Sequence, residues 1–234
     1  MSDVHLGLAG SDAEGRERRF VSFLKSIDTR TTEALWLLGD IWDFWYEYRD
    51  VIPKEGARVV AQLINLMDAG VKVFFIPGNH DIWTYHFFEE IGIRKVWQPY
   101  FIQIGGRKFC LGHGDALGGA VGGYRIIYPI FHCHFLQRCF STIHPSIAYR
   151  FGNWWSRGNR GTHEGYVFNP ENEPIVKWAR EQQGVDYFVF GHFHCEVNLT
   201  LPGGAQFFIM PSWLTCSPYL YFDGQELSFR FFDL

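Results

Sequence analysis

The sequence lacks a strong excess of charge and any long apolar run. Its 21 lysines and arginines nearly balance 25 aspartates and glutamates, which gives a formal net charge of -4 over 234 residues. This balance argues against a general nucleic-acid binder, because that role usually requires a strongly basic domain. No apolar run reaches the roughly 18 residues that a membrane-spanning helix needs, so we expect no transmembrane segment.

The cysteines show no paired spacing. The five cysteines are an odd number, no pair has Cys-x-x-Cys spacing, and no basic-then-apolar signal segment opens the sequence. These features predict free or buried thiols in a reducing cytoplasm. With 47% hydrophobic and 20% charged residues, the composition is that of a globular protein. The length predicts one large domain, or a domain that carries an insertion.

Short apolar runs alternate with helical patterns along most of the chain. Residues 35–38, 71–76 and 187–190 are predicted strands, and a helix is predicted between the first two, ending at Gly70. This alternation of strand and helix is typical of an α/β fold. Three apolar runs near the end, at 205–210, 217–222 and 227–232, suggest an antiparallel finish.

Residues 120–164 break this pattern. They contain five arginines and one glutamate, a local charge of +4, together with many large apolar side chains. We predict an inserted helical segment here, within a core formed by residues 1–119 and 165–234. Two interpretations stay open: a hairpin that packs on the sheet, or a lid whose apolar face holds acyl chains while its arginines meet phosphate or anionic headgroups.

Seven polar side chains lie at the start of the chain or just beyond predicted strands. Several follow a glycine, which allows the backbone to turn sharply and approach a shared ligand. Carboxylate, amide and imidazole groups together suit a divalent metal. Seven ligands are too many for one ion and suffice for two only if one is shared, as in two-metal sites that clamp a phosphoryl group. The candidates are Asp3, His5, Asp40, Asn79, His113, His192 and His194.

Five motifs in order resemble those of the calcineurin-like metallophosphoesterases. They are Ser2-Asp3-Val4-His5, Gly39-Asp40-Ile41-Trp42-Asp43, Gly78-Asn79-His80-Asp81, Gly112-His113-Gly114-Asp115 and Gly191-His192-Phe193-His194. The resemblance implies a four-layer αββα sandwich with an inserted helical lid. It also implies two metal sites, one held by Asp3, His5, Asp40 and His194 and the other by Asp40, Asn79, His113 and His192, with Asp40 as the bridge.

The same resemblance assigns roles around the metals. His80 would face the phosphate and either stabilise its oxygen or protonate the leaving group, with Asp43 orienting the ring. Asp81 and Asp115 are either outer anchors of the site or loop caps. The family places an apolar strand before the first motif, whereas Met1 directly precedes it here. Either the chain begins further upstream, or the first motif is poorly anchored.

Within the family, the chain most resembles the group of UDP-2,3-diacylglucosamine hydrolases of lipid A synthesis. The resemblance rests on the chain length, Trp45, the spacing to Tyr124 and the aromatic insertion. It implies cleavage of a UDP-linked glycolipid to UMP and a lipid monosaccharide phosphate, with two divalent ions, Mn²⁺ by expectation. The location would be cytoplasmic and peripheral to the inner membrane, with no nucleic acid and no obligate protein partner. Candidate substrate contacts are His80, Tyr124, Arg157 and Arg160.

Two positions depart from that group, which carries Arg where this chain has His80 and an acid where it has Val121. A second hypothesis is therefore a metallophosphoesterase for another nucleotide or phosphodiester. A third is a non-catalytic scaffold, which the complete ligand set and His80 disfavour.

Overall fold

The computed structural model describes residues 1–8, 10–120, 122–159 and 167–233, and gives only the backbone of residues 153 and 157–159. The chain alternates strands and helices in its first half and is mostly β-structure after α7. The helices are α1 (Ala13–Ser26), α2 (Ala57–Asp68), α3 (Phe87–Glu90), α4 (Tyr124–Phe131), α5 (His134–Phe140), α6 (Pro145–Asn159) and α7 (Pro174–Glu181). The strands are β1 (Ala34–Leu38), β2 (Lys72–Ile76), β3 (Arg94–Lys95), β4 (Tyr100–Ile104), β5 (Arg107–Leu111), β6 (Tyr187–Phe190), β7 (Val197–Thr200), β8 (Gln206–Ile209), β9 (Pro218–Phe222) and β10 (Leu227–Phe231).

The strands form three sheets. One is parallel, in the order β1-β2-β3, and the second has the order β4-β5-β6-β8-β7 with parallel pairing of β5, β6 and β8. The third is the antiparallel pair β9-β10. The expected antiparallel finish is therefore right for β9 and β10 and only partly right for β8. Strand β8 lies inside the second sheet, where it pairs in parallel with β6 and antiparallel with the edge strand β7, which the sequence did not predict.

Both faces of the five-stranded sheet are buried at its central strand, β6. On β6, Tyr187 and Val189 belong to the core shared with the first sheet, whereas Phe188 belongs to a second core that includes Ile175 of α7. Trp36 of the first sheet stacks on Phe74 and contacts Tyr100 of the second. Helix α2 contacts β2 and α1 on the other side of the first sheet. The layers are thus helices, sheet, sheet and helix, and the expected αββα sandwich is confirmed.

Three helices, α4 to α6, follow where the helical insertion was expected. Their aromatic side chains pack on the loops after β1 and β2: Tyr46 lies 4.8 Å from Phe140 and Trp83 lies 5.0 Å from Phe131, between ring centroids. Hydrogen bonds reinforce this contact, because the Tyr46 hydroxyl donates to the Gln137 carbonyl at 2.6 Å. Below, "the insertion" means these three helices.

The five cysteines, all within the described residues, are unpaired thiols. In the described part of the chain, no helix combines the length and the apolar character needed to cross a bilayer.

Candidate metal centre

The predicted ligands converge where the strands of the two main sheets end, and most of them lie on strained backbone. Asp3, His5, Asp40, His192 and His194 all have a positive φ, between 51° and 70°. A non-glycine residue in this left-handed region costs about 1–3 kcal/mol and persists only where its surroundings fix it. Such strain at five of the seven candidate ligands indicates a site whose backbone is held in place for its side chains.

The first motif is firmly held. Asp3 and His5 are fully buried, and their backbone N–H groups donate to the carbonyls of Gly39 and Asp40 at 3.0 Å. The buried Arg16 guanidinium donates to the His5 carbonyl at 2.7 Å. The expectation of a poorly anchored first motif is therefore wrong, because the opening residues run beside the end of β1 and share its hydrogen bonds.

Gly39 shows why a glycine precedes the second motif. Its φ is 81°, and a Cβ atom there would lie 2.6 Å from both the Gly78 nitrogen and the His113 Nδ1. Only a residue without a side chain allows this approach of three segments. The close packing inferred from the glycines in the sequence is present.

One group of candidate ligands consists of Asp3, His5 and His194. The Nε2 atoms of His5 and His194 are 3.1 Å apart, and the Asp3 Oδ1 lies 3.2 Å from His194 Nε2. The ligand atoms of all three lie within 4.8 Å of one another. Two imidazoles and a carboxylate that face one point have the composition of a divalent metal site.

A second group consists of Asp40, His113 and His192, with Asn79 beside them. His113 Nε2 lies 3.2 Å from Asp40 Oδ2, and the Asn79 Oδ1 lies 3.1 Å from His113 Nε2 and 3.0 Å from His192 Nδ1. The His113 Nδ1 faces the Leu38 carbonyl at 2.9 Å. A proton on Nδ1 leaves the Nε2 lone pair for a cation, which is the usual arrangement behind a metal-binding histidine.

Three of the shifted groups have a protonation state that suits a cation. Burial lowers the pKa of His5 and of His192 to about 4, so both imidazoles are neutral near pH 7 and offer lone pairs. Burial alone would raise the pKa of Asp3, but the hydrogen bond and charge of His194 hold it at about 2. Burial would lower the pKa of His113, yet the Asp40 carboxylate raises it well above its usual value. The His113 imidazole therefore holds a proton that a divalent ion would displace on binding.

Asp81 ties the second and third motifs together. Its buried carboxylate accepts hydrogen bonds from the backbone nitrogens of Gly78 and Ile41 at 2.7 Å, and from that of Asp40 at 3.1 Å. These partners are backbone N–H groups, one of them that of the candidate ligand Asp40, so Asp81 caps the two loops and joins them.

His80 and Asp43 are brought together differently from the expectation. His80 Nδ1 lies 2.7 Å from the backbone carbonyl of Asp43, so this carbonyl orients the ring. The Asp43 carboxylate oxygen Oδ1 lies 4.0 Å from His80 Nδ1 and 3.3 Å from His5 Nδ1. The carboxylate therefore lies nearer to a candidate metal ligand than to the ring it was predicted to orient.

A cavity of about 510 Å³ lies between the metal centre and the insertion. Its polar end is formed by Asn79, His80, Asp115 and His192. The rest of its wall is largely apolar, and includes Phe44, Trp83, Ile127, Ile130, Phe131, Leu136, Phe140, Phe151 and Trp155. Clefts of this size with a few polar groups at one end are typical ligand sites.

The predicted substrate contacts are only partly described. Tyr124 lines the cavity, and its hydroxyl donates to Asp115 Oδ2 at 2.6 Å. The side chain of Arg157 and the whole of Arg160 lie outside the described residues, as does Val121. Phe44 and Trp83 also line the cavity, which their sequence does not indicate, because they follow core strands and carry no motif signal beyond their aromatic character.

Comparison with known proteins gives the family. The profile described as Calcineurin-like phosphoesterase matches residues 1–196. The chain belongs to this family. It is a metal-dependent hydrolase, and the scaffold hypothesis is thereby set aside.

Curated relatives of this phosphoesterase carry a more specific name. A UDP-2,3-diacylglucosamine hydrolase of Porphyromonas gingivalis is 28% identical over 97% of this chain and 94% of its own length. A protein of the same name from Salmonella paratyphi B is 29% identical over 75% of this chain and 73% of its own. A solved structure of a dimetal phosphatase from Danio rerio covers 99% of this chain and 94% of its own at a TM-score of 0.49 and 13% identity, which is too distant to carry an argument.

Proposed function

We propose that the phosphoesterase binds two divalent ions, Mn²⁺ by preference. Asp3, His5 and His194 would hold one ion, and Asn79, His113 and His192 the other, with Asp40 between them. Support comes from the two groups of ligand atoms, each within 4.8 Å, and from the imidazoles that burial keeps neutral. The oxygen ligands suit Mn²⁺, whereas imidazole suits Zn²⁺ and iron as well, so the preference for Mn²⁺ rests on the resemblance to the UDP-2,3-diacylglucosamine hydrolases.

The proposed reaction is hydrolysis of the pyrophosphate of UDP-2,3-diacylglucosamine to UMP and 2,3-diacylglucosamine 1-phosphate. The observation that carries this proposal is the apolar cavity whose polar end includes Asn79, His80 and His192. In a substrate with phosphates at one end and acyl chains at the other, the phosphates would lie at the polar end of the cavity and the acyl chains along its apolar wall. The names of the curated relatives point to the same substrate.

His80 is proposed to act on the phosphate. Its Nδ1 is held by the Asp43 carbonyl, which leaves Nε2 for a phosphoryl oxygen or the leaving group. Divalent ions bound at the centre would activate water and neutralise charge on the phosphoryl oxygens. Asp81 and Gly39 contribute indirectly, because they fix the backbone on which these side chains stand.

The direct test is incubation of the purified chain with UDP-2,3-diacylglucosamine and Mn²⁺, followed by chromatography of the nucleotide product. We expect UMP and no UDP, because the proposed cut lies within the pyrophosphate. A generic aryl phosphodiester is the control substrate. Its robust hydrolysis without release of UMP from the glycolipid would support the second candidate, a phosphoesterase for another nucleotide or phosphodiester, which the His80 and Val121 departures favour.

We also propose that the insertion contacts the cytoplasmic face of the inner membrane. Ile126 and Phe135 are each 70% exposed, and Trp154 is 66% exposed. An exposed group of large apolar side chains usually marks an interaction surface, and basic residues near anionic lipid each add about 1 kcal/mol. The expected result is co-sedimentation of the full chain with vesicles that contain anionic lipid. No binding at low salt would contradict the proposal.

A further inference from the structure

A short chain of side chains joins the insertion to the metal centre. Ser156 of α6 is only 1% exposed, and its hydroxyl donates to Asp43 Oδ2 at 2.7 Å. The second carboxylate oxygen, Oδ1, lies 3.3 Å from His5 Nδ1. On the opposite edge of the His5 ring, Nε2 lies 3.1 Å from His194 Nε2.

The packing of α6 brings Ser156 to this place. Gly152 lies one turn earlier and, four residues from Ser156, shares its side of the helix. A Cβ atom at Gly152 would lie 2.5 Å from the Phe44 ring, so the helix approaches the residue next to Asp43 as closely as a glycine allows. The Tyr149 hydroxyl also donates to the Tyr46 carbonyl at 2.6 Å. The Ser156 contact therefore belongs to a docked helix face.

We propose that Ser156 is a positioning residue, which holds the Asp43 carboxylate against His5 Nδ1 and so presents His5 Nε2 to the metal centre. The inference rests on the proposed role of His5 as a metal ligand. A carboxylate beside a metal-binding histidine restricts the orientation of the ring. At 3.3 Å the Asp43 Oδ1 acts on His5 Nδ1 through its charge, without the alignment of a hydrogen bond. Because Ser156 occupies Oδ2, the carboxylate keeps Oδ1 toward His5. His80 Nδ1, at 4.0 Å, is the other imidazole nitrogen near this oxygen.

This arrangement makes metal binding and the position of α6 depend on each other. Any interaction that favours the docked helix also favours the metal-binding orientation of His5, and coupling between binding equilibria is reciprocal. The insertion would then act on the metal centre as well as forming the cavity wall.

The test is the Ser156→Ala variant of the full chain, stripped of metal with a chelator and titrated with Mn²⁺ by calorimetry. We expect one of the two binding steps to weaken by about three- to tenfold, less than the 10- to 100-fold typical when a histidine loses its direct outer partner. Hydrolysis of an aryl phosphodiester should fall at limiting Mn²⁺ and recover at saturating Mn²⁺. The matched control is Ser146→Ala, an exposed serine of the same helix, for which both readouts should equal the wild type.

A double-mutant cycle with Asp43→Asn shows whether Ser156 acts through Asp43. In the Asp43→Asn background, Ser156→Ala should cause no further loss of Mn²⁺ affinity, because residues that act in series are not additive. Additive losses would overturn the inference, and so would an altered melting temperature of Ser156→Ala with unchanged Mn²⁺ affinity. A wild-type chain that binds fewer than two Mn²⁺ ions would instead overturn the proposed function itself.

Discussion

The metal centre and the insertion are built in opposite ways. The candidate ligands are mostly buried and stand on strained backbone, which many backbone hydrogen bonds hold in place. The insertion exposes Ile126 and Phe135 and is joined to the core by aromatic contacts and a small number of polar bonds. We infer that the chemistry depends on a rigid centre, whereas the exposed side chains of the insertion can vary without disturbing that centre as long as α6 keeps its contact with Asp43 through Ser156.

The largest effect is expected at the point between the two ligand groups. Asp40→Asn should reduce hydrolysis by about 10⁴-fold, equivalent to ~5 kcal/mol, because the site loses the carboxylate proposed to neutralise and bridge both ions. Turnover and metal content should be measured together, the latter by plasma mass spectrometry. Asp68→Asn, at the exposed end of α2, is the control. If the variant keeps two ions and normal turnover, Asp40 is not a ligand of the metal centre.

Substitution of His80 tests whether a residue beside the metal centre acts on the phosphate without binding metal. His80→Ala should lower kcat by about 10²- to 10³-fold, a usual loss for a positioned acid or charge-stabilising group. Its metal content should stay that of the wild type. His144→Ala, in the exposed turn before α6, is the matched control. Unchanged kcat would contradict the role proposed for His80.

Two adjacent tryptophans distinguish the two faces of the insertion. Trp155 lines the cavity, whereas Trp154 is 66% exposed, although the sequence gives no reason to separate them. Trp155→Ala should raise KM for the diacylated substrate about tenfold, since a lost apolar contact of ~1.4 kcal/mol has this effect. In detergent, Trp154→Ala should leave KM unchanged. An equal KM for a deacylated analogue and the acylated substrate would show that the cavity does not hold the chains.

The smallest effect is expected from the exposed apolar residues. The double variant Ile126→Ser, Phe135→Ser should bind anionic vesicles several-fold more weakly, because apolar area that would enter the lipid is removed. Its free energy of unfolding should change by less than about 1 kcal/mol, as for other surface substitutions. Phe101→Ser, at a 51% exposed position of β4, is the matched control. Equal loss of vesicle binding in the control would show that the insertion is not the contact surface.

Much of the fold and the convergence of the candidate ligands could be predicted because each signal is local. A strand that ends in Gly39-Asp40 or Gly191-His192 carries its own burial pattern and its own turn, and the motifs follow one another in the family's order. The parallel place of β8 could not be predicted in this way. Pairing between β6 and β8 depends on contacts across the sheet, and the intervening edge strand β7 gives only a weak apolar alternation.

The residue types at the candidate metal centre were thus determined by the sequence alone, because ligand chemistry is a property of each side chain. The tertiary structure alone decided which atoms those side chains turn toward one another. Asp43 was expected to serve His80 but lies closer to His5, and Ser156 reaches Asp43 across 113 positions of the chain. The physical reason is that hydrogen-bond partners depend on packing to within a fraction of an ångström, and the close approach of α6 at Gly152 arises only when the helix docks on the core.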